Sequence, residues 1–167
     1  MNIFVLDENP ITAARMMCDK HIPKMVVESA QMLASAVRRW GATDDVMPLT
    51  KAGKPYKGGY ANHPCTVWAG DTFGNFSWLT DHAIALCVEY TSRFGKKHAC
   101  ADPINTLWHV GIVVSPSHRR TTTPFALAMP DEYLNGDAVK AYRDYYHSKT
   151  FAKWEKGTPA PDWWRGE

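Results

Sequence analysis

Cysteine is scarce in this chain. Four residues, at positions 18, 65, 87 and 100, are spread over 167 positions, and no two make a C-x-x-C pair. That excludes a zinc ribbon and a thioredoxin-type redox pair. It also leaves no disulfide framework, and a chain of this length can bury a sizeable core without one. Two H-x-C pairs occur, His63-Pro64-Cys65 and His98-Ala99-Cys100. Their spacing matches no common zinc motif, so no metal and no cofactor are expected. Long apolar runs are missing too, with nothing near the ~18 residues of a membrane span. The opening M-N-I-F-V-L-D-E-N-P lacks both the basic segment and the apolar run of a secretory leader. A cytoplasmic protein with reduced thiols and no membrane partner is expected. Nor is there an excess of either charge. The formal net charge of +2 is too small to argue nucleic-acid binding by itself. Internal repeats and low-complexity tracts are absent.

Aromatic residues are plentiful, at 12%, including seven Trp and seven Tyr. The composition is otherwise that of a globular protein. The expected fold is mainly α: a compact single-domain helical bundle spanning residues 1–167, with long irregular loops at 41–62 and 112–123. Residues 2–6 form a short apolar run, read as a tail pinned into the core or at most a minor N-terminal strand.

Residues 9–40 organise the rest. Asn9 and Pro10 suit a helix start. A corner at His21-Ile22-Pro23 then opens a longer helix, because proline is not tolerated in a helix interior. Val26, Ala30, Leu33, Val37 and Trp40 recur at helical spacing and mark a core face. The opposite face carries Lys24, Glu28, Gln31, Ser35, Arg38 and Arg39. It is either a solvated face with a Lys24–Glu28 pair, or the wall of a cleft with Asp19, His21, Lys24 and Glu28 at its open end. A carboxylate one turn from an amine and beside a histidine can transfer protons.

Further on, residues 41–62 combine Lys51, Lys54 and Lys57 with Tyr56 and Tyr60. They read as a flap over a phosphate-bearing ligand or as a solvated linker. Asn62-His63-Pro64 reads as a cap and helix start, and Asp71 or Thr72 caps a long helix that stops at Gly95. In that helix Phe76, Leu79, Ala83, Leu86, Cys87, Tyr90 and Phe94 form the core stripe, while His82 and Glu89 are expected at the surface. Residues 96–111 are read as short turns broken at Asp102-Pro103, and Ile112-Val113-Val114 as extended. The S-P-S-H-R-R-T-T-T loop offers His118, Arg119, Arg120 and hydroxyls to phosphate oxygens. The C-terminal residues interleave aromatics and bases, as a nucleic-acid surface or a helix clamped on the core would.

Two stretches carry a likeness. Cys18-Asp19-Lys20-His21 leads into a helix with Glu28 and Gln31, and Asn62-His63-Pro64 with Trp68 precedes a long amphipathic helix. Over residues 10–95 this pairing resembles small, mostly helical phage and bacterial proteins similar to pyrimidine-dimer DNA glycosylases of the endonuclease V type. The resemblance implies a DNA-processing enzyme, a glycosylase with or without β-elimination lyase activity. Glu28 would match the glutamate that handles protons at the sugar. Lys20, Lys24 and the basic loops would be the phosphate-binding cations, and His63 would shape the pocket. The resemblance also implies nucleophilic attack by the α-amine of a small residue exposed when methionine is removed. Here the second residue is Asn2, whose bulk is expected to retain Met1. Met1 then supplies the amine, or Lys24 does, or lyase chemistry is absent. The candidate catalytic set is Glu28, Lys24, His21 and His63. The candidate substrate-binding set is Asp19, Lys20, Gln31, Asn62, Trp68, His118, Arg119 and Arg120. DNA is the favoured partner. The alternatives are an enzyme acting on a free nucleotide or nucleoside, and a non-catalytic binder of a host protein or signalling nucleotide.

Overall fold

A computed structural model of the protein describes residues 1–116 and 120–166. These residues form six α-helices: α1 (Pro10–Met16), α2 (His21–Arg39), α3 (Pro64–Asp71), α4 (Phe73–Phe94), α5 (Ala101–Val114) and α6 (Ala138–His147). Helices α2 and α4 pack together at the centre, with α1 laid on α4, α3 across α2, and α5 against both. No strand occurs among the described residues, only an isolated bridge between Leu49 and Pro55. The chain is mainly α, as its helical periodicities predict.

Local chemistry sets the helix ends. Asn9 Oδ1 accepts the amides of Ile11 and Thr12, and Pro10 opens α1. Helix α2 starts at His21 rather than Pro23. The proline sits in the first turn, where its missing amide leaves no helical bond unmade. Thr72 caps α4 by accepting the Asn75 amide at 3.1 Å, and Gly95 closes it in the left-handed region at φ 68°.

Three expectations for α4 and α5 are corrected. Residues 101–114 form one helix with Pro103 in its first turn, so Asp102-Pro103 breaks nothing. Ile112, Val113 and Val114 are helical, not extended. Their β-branched side chains favour a strand, but the seating of Leu107, Val110 and Gly111 in the core carries the helix past them. Gly111 lies so close to Phe76 that a Cβ there would meet the ring at 2.3 Å. Finally, His82 and Glu89 are buried. Helix α1 and the C-terminal segment cover their side of α4, which helical period within α4 alone cannot reveal.

That covering depends on Arg93, whose side chain is wholly buried. It donates to Glu89 Oε2 (3.0 Å), to the carbonyls of Met17 (2.8 Å) and Arg15 (2.9 Å), and to Asp19 Oδ1 (3.1 Å). Asp19 in turn accepts the Glu155 amide at 2.6 Å, which ties down the C-terminal segment. Trp154, Trp163 and Trp164 gather around Tyr146 in the same region. The aromatic C-terminal residues therefore act as a clamp on the core.

Candidate active site

Residues 2–6 are a buried tail rather than a strand. Asn2 folds it. Its Oδ1 accepts the Phe4 amide at 2.9 Å, and its Nδ2 donates to the Ala128 carbonyl at 2.8 Å. Phe4 adopts φ 34°, a left-handed conformation that costs a non-glycine residue about 1–3 kcal/mol. Packing holds it there: its ring stacks on His21 at 4.8 Å and meets Tyr142, Tyr145 and Tyr146. Tyr142 steadies the 126–128 segment by donating to the Ala126 carbonyl at 2.7 Å and accepting the Ala128 amide at 3.3 Å.

The folded tail brings the chain's first amine to α2. Met1 N lies 3.6 Å from Glu28 Oε2, and Lys24 Nζ lies 3.5 Å from Glu28 Oε1. One carboxylate, 13% exposed, thus faces two amines, one per oxygen. The two differ in freedom. The Met1 side chain is 1% exposed, so its backbone is fixed, whereas the Lys24 side chain is 62% exposed.

His63 borders the same group from the start of α3. It, rather than Asn62, caps the helix, its Nδ1 accepting the Cys65 amide at 3.2 Å. That bond assigns the neutral ring its proton on Nε2. Burial and the Met1 ammonium pull the imidazole below its ordinary pKa, and Glu28 pulls weakly the other way. Beneath, burial pushes the Cys65 thiol up to about 11, so it is no nucleophile at neutral pH.

The other candidate residues divide. Gln31, one turn beyond Glu28, lines a separate cavity of about 220 Å³ with Thr50, Tyr56 and Lys57. His21 is buried. The Tyr146 hydroxyl accepts the Cys18 amide at 3.0 Å and shares a hydrogen bond with His21 Nδ1 at 2.8 Å. Burial first, then Lys24, Lys149 and Lys20, bring the His21 pKa down to about 3, so the ring is neutral and engaged in packing. The same three lysines mark a basic strip at this end of α2. Lys20 also lies 4.6 Å over the Phe151 ring. Asp19 is held by Arg93 and Glu155. Trp68 is buried against Trp78 and Phe125. Asn62 is exposed. Arg120 lies over Phe73 at the start of α4, not on α2. His118 and Arg119 fall outside the described residues.

The polar face of α2 is neither wholly solvated nor wholly open. Its C-terminal half is covered by residues 41–62. Arg38 donates to the carbonyls of Tyr56 and Ala42, and Ser35 exchanges two hydrogen bonds with Gly59. Its N-terminal half carries Lys24 and Glu28 beside the tail. A larger groove of about 550 Å³ lies between α4 and α5, but it is mostly apolar and its Lys97 and Asp102 pair with each other at 2.6 Å. Among the described residues no three His, Cys, Asp or Glu side chains are placed to share a metal ion.

Sequence reasoning missed Asn2 as a builder of the site, along with Tyr142 and the Ser35–Gly59 clamp. Asn2 and Ala128 are 126 positions apart, and no local pattern links them.

A carboxylate set between two amines, with a neutral histidine at its border, is an arrangement able to exchange a proton with an amine. Residues 1–102 match the pyrimidine dimer DNA glycosylase family, and the chain belongs to that family. No curated protein and no solved structure matched. No helix of the described residues is long and apolar enough to cross a membrane.

Proposed function

We propose that the protein is a DNA glycosylase with β-elimination activity, acting on a damaged or modified base, with the Met1 α-amine as nucleophile and Glu28 as its proton carrier. The observation that carries this reading is the 3.6 Å approach of Met1 N to Glu28 Oε2, in a chain of the pyrimidine dimer DNA glycosylase family. The amine lone pair attacks C1′ of the damaged nucleotide. The C1′–N bond breaks, and the base departs with the bonding electrons and takes a proton from solvent water. Glu28 takes a proton from the attacking nitrogen and returns one to O4′ as the C1′–O4′ bond opens, leaving a protonated imine. Glu28, again a carboxylate, then takes a proton from C2′ as the 3′ phosphate leaves, and water hydrolyses the imine to free the amine. Fixed by its buried side chain, Met1 presents its nitrogen with less conformational freedom to lose than Lys24 has. Lys20, Lys24 and Lys149 supply phosphate contacts, and His63 offers its Nε2 proton as a donor at the edge of the site.

Borohydride trapping tests the reading. The protein is mixed with oligonucleotides carrying an abasic site, uracil or a pyrimidine dimer, then reduced and analysed by mass spectrometry. A covalent adduct mapped to the N-terminal peptide is expected, with intact mass confirming that methionine is retained. An adduct on Lys24 reassigns the nucleophile, and no adduct with no strand cleavage rejects amine-based lyase chemistry.

A further inference from the structure

Among the described residues, two that are not glycine have positive φ: Phe4 at 34° and Tyr60 at 53°. Phe4 lies three residues from Met1, and Tyr60 three residues before His63. Phe4 is explained by the tail it folds. Tyr60 is not explained by packing, because its ring is 69% exposed and makes no hydrogen bond, ring contact or cation contact among the described residues. A large aromatic in the left-handed region normally costs stability, and such strain persists only where the surroundings impose it.

The surroundings do impose it. Gly58, at φ 80°, lies so close to α2 that a Cβ would stand 2.3 Å from Ser35 Oγ. The Gly59 amide donates to Ser35 Oγ at 2.8 Å, and Ser35 Oγ donates to the Gly59 carbonyl at 3.0 Å. On the other side the His63 amide donates to the Tyr60 carbonyl at 2.9 Å, tying it to the cap of α3. Ser35 is seven residues past Glu28, so it shares the face of α2 that carries Glu28, about 10 Å along the axis. The clamp and the cap together hold an unpartnered ring out into solvent beside the start of α3, where His63 stands.

We propose that Tyr60 is a stacking residue for duplex DNA, entering the helix beside the target nucleotide or capping the base step exposed when that nucleotide leaves the stack. This rests on the glycosylase reading. An unpartnered aromatic face gains a partner in an unstacked base, and one such contact is worth roughly a ten- to hundred-fold change in affinity or rate. Removing a nucleotide from the duplex costs energy that a single strand does not demand. Tyr60 should therefore matter on duplex and not on single strands.

The test compares wild type with Tyr60→Asn and Tyr60→Trp. Asparagine accepts the left-handed backbone, so it removes the ring while sparing the fold. Single-turnover trapping is measured on an abasic site in duplex and in a single strand, with 2-aminopurine next to the site to report unstacking. The expected result is a roughly ten- to hundred-fold loss for Tyr60→Asn on duplex, with loss of the 2-aminopurine signal. Single-strand trapping stays unchanged, and Tyr60→Trp remains close to wild type. Equal rates for wild type and Tyr60→Asn on duplex overturn the inference alone. An equal loss on both substrates also overturns it, since that marks a structural role. Wild type inert on both substrates rejects the amine-lyase chemistry on which the inference rests, and the inference falls with it.

Discussion

Met1 N and Lys24 Nζ approach different oxygens of the Glu28 carboxylate, at 3.6 Å and 3.5 Å. The carboxylate can exchange a proton with the Met1 amine through Oε2 while Lys24 holds Oε1. Glu28→Gln keeps the size of the side chain and removes its ability to carry a proton. Strand cleavage is expected to fall by roughly 10²- to 10⁴-fold, the usual contribution of a positioned proton-transfer group. Circular dichroism and melting temperature should stay near wild type. Full activity in this variant would sink the proton-carrier role.

Asn2 aims the amine without touching the carboxylate. Asn2→Leu removes both of its bonds, to the Phe4 amide and the Ala128 carbonyl, while its bulk still retains Met1. A displacement of about 1 Å in a reacting group can cost about a hundred-fold in rate. Trapping should slow by about that much, with intact mass unchanged and DNA affinity little affected. An unaltered trapping rate would mean that the tail finds its place by apolar burial alone.

Two buried histidines predict acid sensitivity. The pKa of His21 is lowered to about 3 and that of His82 to about 4, against 6.5 for a free imidazole, in both cases chiefly by burial. In the unfolded chain both take a proton as pH falls through 6.5, while the folded chain resists until near 3 to 4. The unfolded state therefore binds more protons across that window. The stability these groups contribute is complete above the unfolded pKa and is lost as pH falls through the window. Urea denaturation at a series of pH values should show the decline, and His82→Leu should flatten it. A pH-independent midpoint between about pH 7 and about pH 4.5 would contradict the burial of both rings.

Arg93 joins α4 to the α1–α2 corner, with Glu89 and Asp19 as its acidic partners. Arg93→Leu takes the donor from two buried carbonyls and the arginine partner from Asp19 and Glu89, while Thr158 and Arg15 stay with Glu89. Such losses cost about 3–5 kcal/mol. The measurement is the chemical denaturation midpoint. Because Asp19 also holds residue 155, limited proteolysis should cut the C-terminal segment sooner in the variant. Unchanged stability would show that the network is dispensable.

How legible each part was depended on the range of its interactions. The caps at Asn9, Thr72 and Gly95 are local, and the core stripe of α4 has a period that sequence exposes. Glu28 and Lys24 are one turn apart on one helix, so their pairing could be read directly. His21 could not be sorted from Glu28 in this way. Phe4, Tyr146 and Phe151, from opposite ends of the chain, enclose its ring. Asp19 looked like part of a polar site and proved to be a clasp, because Arg93 lies 74 residues away. His82 and Glu89 sat off the apolar stripe, yet elements distant in sequence cover them.

The sequence by itself determined the helices, their caps, the core faces and a carboxylate one turn from a lysine, since these follow from spacing within single segments. Tertiary structure alone decided that the chain's first nitrogen meets that carboxylate. A six-residue tail has no periodicity to announce where it goes. Its position comes from Asn2 reaching Ala128, from Phe4 enclosed among His21 and three tyrosines, and from His63 at the start of α3. The site exists because packing makes neighbours of residues that the chain keeps far apart.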